Sequence, residues 1–246
     1  MMAIGTAVPL CLSTFVDENH SATPIVPTAA PTQSSFTTIS VLLIGVNSLT
    51  ATHPTLESLT VVGYQTGVKN YFLFTVSPDT CVDPASATAP EKTIRSVYAD
   101  DARLQRQALV TQKALRKISS KLSNIYVDVN FDRQAITETI GLLGPFDCMG
   151  QTQTGEALLR QFDALAPEAP EERMRFQGSL LKCLFDAAKK QGWDFPTLMD
   201  KLGRRPYPSR DHAAYYFGFA PPLAQSEFAV IPLPLHPPLD KPTPQP

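Results

Sequence analysis

Three things are scarce in this 246-residue chain: basic residues near its start, paired cysteines and long apolar runs. No Lys or Arg precedes Lys69, whereas Asp17, Glu18 and Glu57 do. A secretory signal needs a basic n-region and an organellar transit peptide needs scattered Arg, so neither is expected. The longest apolar stretch near the start, Ala7 to Val16, is interrupted by Pro9 and is too short to span a bilayer, so no membrane partner is expected. Cys11, Cys81, Cys148 and Cys183 form no C-x-x-C pair and have no histidine at ligand spacing. That argues against zinc and against a disulfide framework, and predicts reduced, mostly buried thiols in a cytoplasmic or nuclear protein.

A large charge of one sign is missing too. Lys and Arg total 21 against 23 acidic residues, so the chain has no overall field to draw it to nucleic acid or anionic lipid. With 43% apolar and 18% charged residues it can bury a sizeable core.

Segments 8–16 and 37–46 are rich in β-branched and apolar residues and read as strands, separated by a loop of Pro, Thr, Ser and Ala at 21–35. "SLTVVGY" (58–64) and "NYFLFTVS" (70–77) flank a Gly67 turn and predict a hairpin. Residues 78–90 read as loop. A helix is predicted over 101–122: Leu104, Ala108, Leu115, Ile118 and Leu122 share a stripe, and Arg103, Arg106, Lys113, Arg116, Lys117 and Lys121 lie opposite it.

In "YVDVNFDRQ" (126–134), Asp128, Asn130 and Asp132 stand two apart, like the first ligands of a calcium loop. Counted from Asp128, however, the sixth position is Arg133 and the twelfth is Thr139, where such a loop needs glycine and glutamate. Ile125, Val127, Val129 and Phe131 alternate with the polar residues, which predicts a strand with Tyr126, Asp128 and Asn130 on a solvent-facing side. Asp132 is then the N-cap of a helix over 133–143, stopped by Gly144 and Pro145.

Beyond residue 149 the pattern turns helical: 155–165 behind a Thr154 cap, 171–191, and 195–202 between an Asp194 cap and Gly203. The 171–191 helix is apolar on two sides, with Met174, Gly178, Leu181, Phe185 and Ala188 on one and Phe176, Leu180 and Cys183 on another, so it packs between two neighbours. Trp193 is expected to pin these helices together. From 204 the chain reads as a basic loop followed by an extended Pro-rich tail.

The resulting expectation is an α+β fold with a mainly antiparallel sheet of four to five strands (1–148), a helical segment (149–203) and a tail (204–246). In element order the first 148 residues resemble small assembly chaperones of the proteasome type. Nucleotide-binding glycine loops, the G-x-S-x-G elbow and H-E-x-x-H are all missing, so no cofactor, metal or catalytic residue is assigned. Of the four histidines only His212, beside Asp211 and near Arg210, has neighbours suited to catalysis. The leading expectation is therefore a non-catalytic protein-interaction subunit or assembly factor with other protein subunits as partners. The alternative is an RNA-associated protein using Arg103, Arg106, Lys113, Arg116, Lys117 and Lys121 together with Arg204, Arg205 and Arg210. A third possibility is an enzyme whose site is assembled from dispersed residues.

Overall fold

The computed structural model describes residues 38–65, 68–83, 91–100, 104–118, 122, 124–166, 168–203, 205–207 and 210–235. The strand read over 8–16 lies outside them. The described elements begin with β1 (Thr38–Val46), β2 (Leu56–Gln65), β3 (Asn70–Val76), β4 (Cys81–Asp83) and β5 (Lys92–Thr93). Helices α1 (Ile94–Ala99) and α2 (Leu104–Ile118), strand β6 (Ile125–Asp132) and helix α3 (Arg133–Leu143) follow. Then come β7 (Phe146–Cys148), β8 (Gln151–Gln153), α4 (Gly155–Ala164), α5 (Pro170–Lys190) and α6 (Phe195–Leu202). The described part closes with β9 (Arg205–Tyr207), α7 (Arg210–Phe217) and β10 (Glu227–Pro232).

The architecture is α+β, around a mixed sheet ordered β10-β3-β2-β1-β6-β9. Five strands are long, and the sixth, β9, has three residues. The predicted hairpin is β2–β3, antiparallel with Val61 opposite Phe74. β1–β2 and β6–β9 are antiparallel as well, whereas β6 runs parallel to β1 and β10 parallel to β3. Part of the expected tail is thus paired: Glu227–Pro232 adds an edge strand, ending at a proline that an edge tolerates.

Each face of the sheet is covered. On one face Val41, Leu43, Val62, Tyr64, Leu73, Val127 and Val129 pack with residues of α3 to α7. On the other, Leu42, Ile44, Val61 and Val76 pack with Ile94 and Tyr98 of α1 and Ala114, Leu115 and Ile118 of α2. Alternation along β6 therefore separates two interiors. Asp128 and Asn130 are buried, 1% and 5% exposed, which corrects the expected solvent-facing row. A period of two cannot distinguish water from a second helical layer as the neighbour of the polar face.

Asp132 does cap α3, accepting from the Ala135 amide at 3.0 Å, and its second oxygen accepts from the Leu49 amide at 3.1 Å. Two expectations about the helical half change. Trp193 is only half-buried, and the aromatic centre is Phe195, packed with Tyr64, Tyr71, Phe185 and Phe217. Cys148 and Cys183, 35 positions apart, form a disulfide, since the β7–β8 hairpin lies against α5. Cys81 is free and buried.

Burial of Asp128 has a measurable consequence. Desolvation pushes its pKa from 3.8 to about 6, opposed by Gln112, whose amide donates to both carboxylate oxygens at 2.8 and 2.9 Å. Because the folded-state pKa exceeds the unfolded one, the acid form costs nothing below about pH 4, and stability is lost as pH rises through 6. Asp128→Asn, whose amide can pair with a flipped Gln112 amide, should raise unfolding free energy by up to about 3 kcal/mol at pH 7.5 and by almost nothing at pH 4. Urea melts at the two pH values would decide it; an equal effect at both would disprove it.

Candidate functional site

The carboxyl ends of the parallel strands β1 and β6 point to the same edge of the sheet, where β2 begins. In sheets with parallel strands, the crevice outside those ends is the usual place for a ligand. A cavity lies there, on the face covered by α3, α4 and α5. Its interior is apolar, walled by Phe131, Ile136, Leu159, Phe162, Leu181 and Leu184. It is narrow: about 50 Å³ is open to the centre of a water-sized sphere, within about 550 Å³ of space between the lining atoms when its open mouth is included.

Gly45, near the end of β1, is part of the reason the cavity exists. A Cβ here would meet the Ser58 hydroxyl and lie 2.9 Å from the Phe131 ring, so any side chain would displace a wall. The long helix α5 supplies Gln177, Leu180, Leu181 and Leu184. Its apolarity was legible in the sequence, but the cavity wall takes Leu181 from one expected side, Leu180 from the other, and Gln177 and Leu184 from neither. Gln177 is fixed by donating to the Leu59 carbonyl at 2.6 Å and the Thr60 hydroxyl at 2.8 Å.

Charge gathers at the mouth. Arg133, first residue of α3, donates from Nε and Nη2 to the two carboxylate oxygens of Glu57, both at 3.1 Å, and from Nη1 to Asp163 at 2.9 Å. Those bonds, the Glu57 pair first, raise the Arg133 pKa and hold its planar fork in place. Three of its five N–H donors are so used. Asp132 shares the rim, with both its oxygens occupied by backbone amides. Close by, the Arg173 guanidinium sits 4.2 Å above the Phe162 ring. The arrangement provides an apolar channel ending in a fixed guanidinium flanked by carboxylates.

Of the basic residues singled out from sequence, none lines this cavity. Lys113, Arg116 and Lys117 are exposed on α2. Arg106 falls within α2, Arg205 within β9 and Arg210 at the start of α7; Arg103, Lys121 and Arg204 lie outside the described residues. The helix α2 packs on one face of the sheet and α7 on the other. His212 is in α7, away from the cavity. Sequence reading missed Glu57, Arg133 and Asp163, which are up to 106 positions apart (163 − 57) and carry no spacing signature.

No family model and no curated protein matches the chain. Solved structures do share its fold. TagT bound to LI-WTA superposes with a TM-score of 0.59 at 15% identity over 80% of this chain and 78% of that one. TagV of B. subtilis does so at 0.55 and 13%, over 78% and 84%. A protein described as the putative transcriptional regulator ywtF of Bacillus subtilis gives 0.57 and 14%, over 80% and 77%. At such identities the likeness concerns the fold. It replaces the likeness to proteasome-type assembly chaperones, and it corrects the expectation of a non-catalytic subunit or assembly factor: the chain has the architecture of TagT, a protein solved with a ligand bound.

Proposed function

We propose that the chain is a transferase-type enzyme whose donor is an amphiphile, with the apolar chain in the cavity and the polar head at Glu57, Arg133 and Asp163. The observation that carries this reading is the narrow apolar cavity whose mouth holds a guanidinium fixed by two carboxylates. The shared fold supports a ligand-binding role, since TagT was solved bound to LI-WTA. In the reading, the remaining N–H groups of Arg133 hold an anionic head. Glu57, at the rim of the cavity, takes the proton from an incoming hydroxyl as that oxygen bonds to the outer phosphorus of a diphosphate head; the bond from that phosphorus to the bridging oxygen breaks and the lipid phosphate leaves.

A fluorescent prenyl phosphate provides the test. Saturable binding is expected, weakened more than about tenfold by Leu181→Trp, whose indole fills the channel. Arg133→Ala should weaken the phosphate probe about tenfold and the corresponding prenyl alcohol hardly at all, because only the first loses a charge-assisted bond. Unchanged affinity in both variants, with the fold verified by circular dichroism, would remove the basis of the proposal.

A further inference from the structure

A second concavity opens on the opposite face of the sheet, between α2, the β4–β5 hairpin and α1, with about 330 Å³ open to the centre of a water-sized sphere. It is roomier than the apolar channel and differs in chemistry. Val82 and Val97 contribute an apolar floor, and three lysines converge on it: Lys92 from β5 and Lys113 and Lys117, one turn apart on α2. Two carboxylates share the lining, Asp83 and Asp100.

The carboxylates do not neutralise the lysines evenly. Lys117 donates to both oxygens of Asp83, at 2.8 and 3.1 Å, which holds its ammonium in place. Lys92 lies opposite Asp83 in the hairpin register, but the Asp83 oxygens already serve Lys117. Neither Lys92 nor Lys113 has an ion pair among the described residues. Like charges brought around one hollow repel each other until an anion enters between them. Arg116, next to Lys117 in sequence, points out of the cleft and has no part in its lining.

We propose that this cleft binds a small phosphomonoester, its dianionic phosphate between Lys92, Lys113 and Lys117 and its organic group on the Val82–Val97 floor. The site is separate from the amphiphile channel and stands whether or not that reading holds. It gives a role to part of the basic helix face, Lys113 and Lys117. The apolar floor favours an organic ester over the bare ion, and the single excess positive charge favours a small ligand over a polyanion.

The experiment is calorimetric titration of the full chain with phenyl phosphate and, separately, with inorganic phosphate. Saturable binding of phenyl phosphate is expected, with inorganic phosphate about fivefold weaker for want of the floor. Lys113→Glu, which breaks no bond within the described fold, should weaken phenyl phosphate about tenfold and Lys113→Gln about threefold, while Arg116→Glu should stay within about twofold of wild type. Lack of saturable binding at millimolar ligand overturns the proposal. So does an Arg116→Glu loss equal to that of Lys113→Glu, since the effect would then be diffuse surface charge, or equal affinity for the two phosphates.

Discussion

Val127→Asp is expected to leave no cooperatively folded protein at 25 °C. Val127 is fully buried in the middle of β6, beside Val41 of β1 and under the helical layer on that face of the sheet. Replacement removes about 2 kcal/mol of apolar burial. It also places a carboxylate with no partner where water does not reach, at a cost of several kcal/mol even after protonation. Against a net stability of roughly 5 to 15 kcal/mol, the sum exhausts most or all of what a domain has. The adjacent residue makes the comparison sharp. Asp128 is as deeply buried, but it points to the other face, where the Gln112 amide donates to both its oxygens. A carboxylate is tolerated at 128 because a donor was folded against it, and no such donor faces 127. Urea denaturation followed by far-ultraviolet circular dichroism tests this; a cooperative transition with less than about 2 kcal/mol lost would contradict the packing described.

Removing the Cys148–Cys183 bond, by Cys148→Ala with Cys183→Ala, is expected to cost about 4 kcal/mol, from the chain entropy released when a loop of 35 positions is opened. For a chain of this size that corresponds to a fall in Tm of about 10 °C. The bond ties the β7–β8 hairpin to α5, the helix that supplies one wall of the apolar channel, so prenyl phosphate binding should weaken along with stability. A reducing agent should lower the Tm of the wild type to that of the double variant and leave the variant unchanged. A wild-type Tm indifferent to reductant would mean that the bond does not form. Formation of the bond in the purified protein would favour an oxidising compartment over the cytoplasmic location read from residue content.

Local chemistry made much of the fold legible. The 133–143 helix was bounded by an aspartate able to accept from its first turn and by Gly144, whose φ of 72° suits a glycine, and the structure has those limits. Two of the later helices followed in the same way from Thr154 and Asp194. What stayed illegible involves partners distant in the chain. A strand at 124–131 lying between two helices permits a parallel neighbour but does not select one, so the β6–β1 pairing was open, and β7, β8 and β9 are too short to show a period. The disulfide was unreadable because its two cysteines sit on a hairpin and a helix whose contact no spacing encodes.

The functional reading divides along the same line. By itself, the sequence determined which segments are apolar, where the helix after Asp132 and the helices after Thr154 and Asp194 begin, and that 128–139 lacks the glycine and glutamate of an EF-hand loop. Only the tertiary structure decided that the polar side of β6 is interior, that Arg133 meets both Glu57 and Asp163, and that α5 walls an open channel. The reason is physical. Capping and periodicity act within a few residues along the backbone, whereas a cavity and its charged mouth are set by whichever remote side chains the packed layers bring within hydrogen-bonding distance.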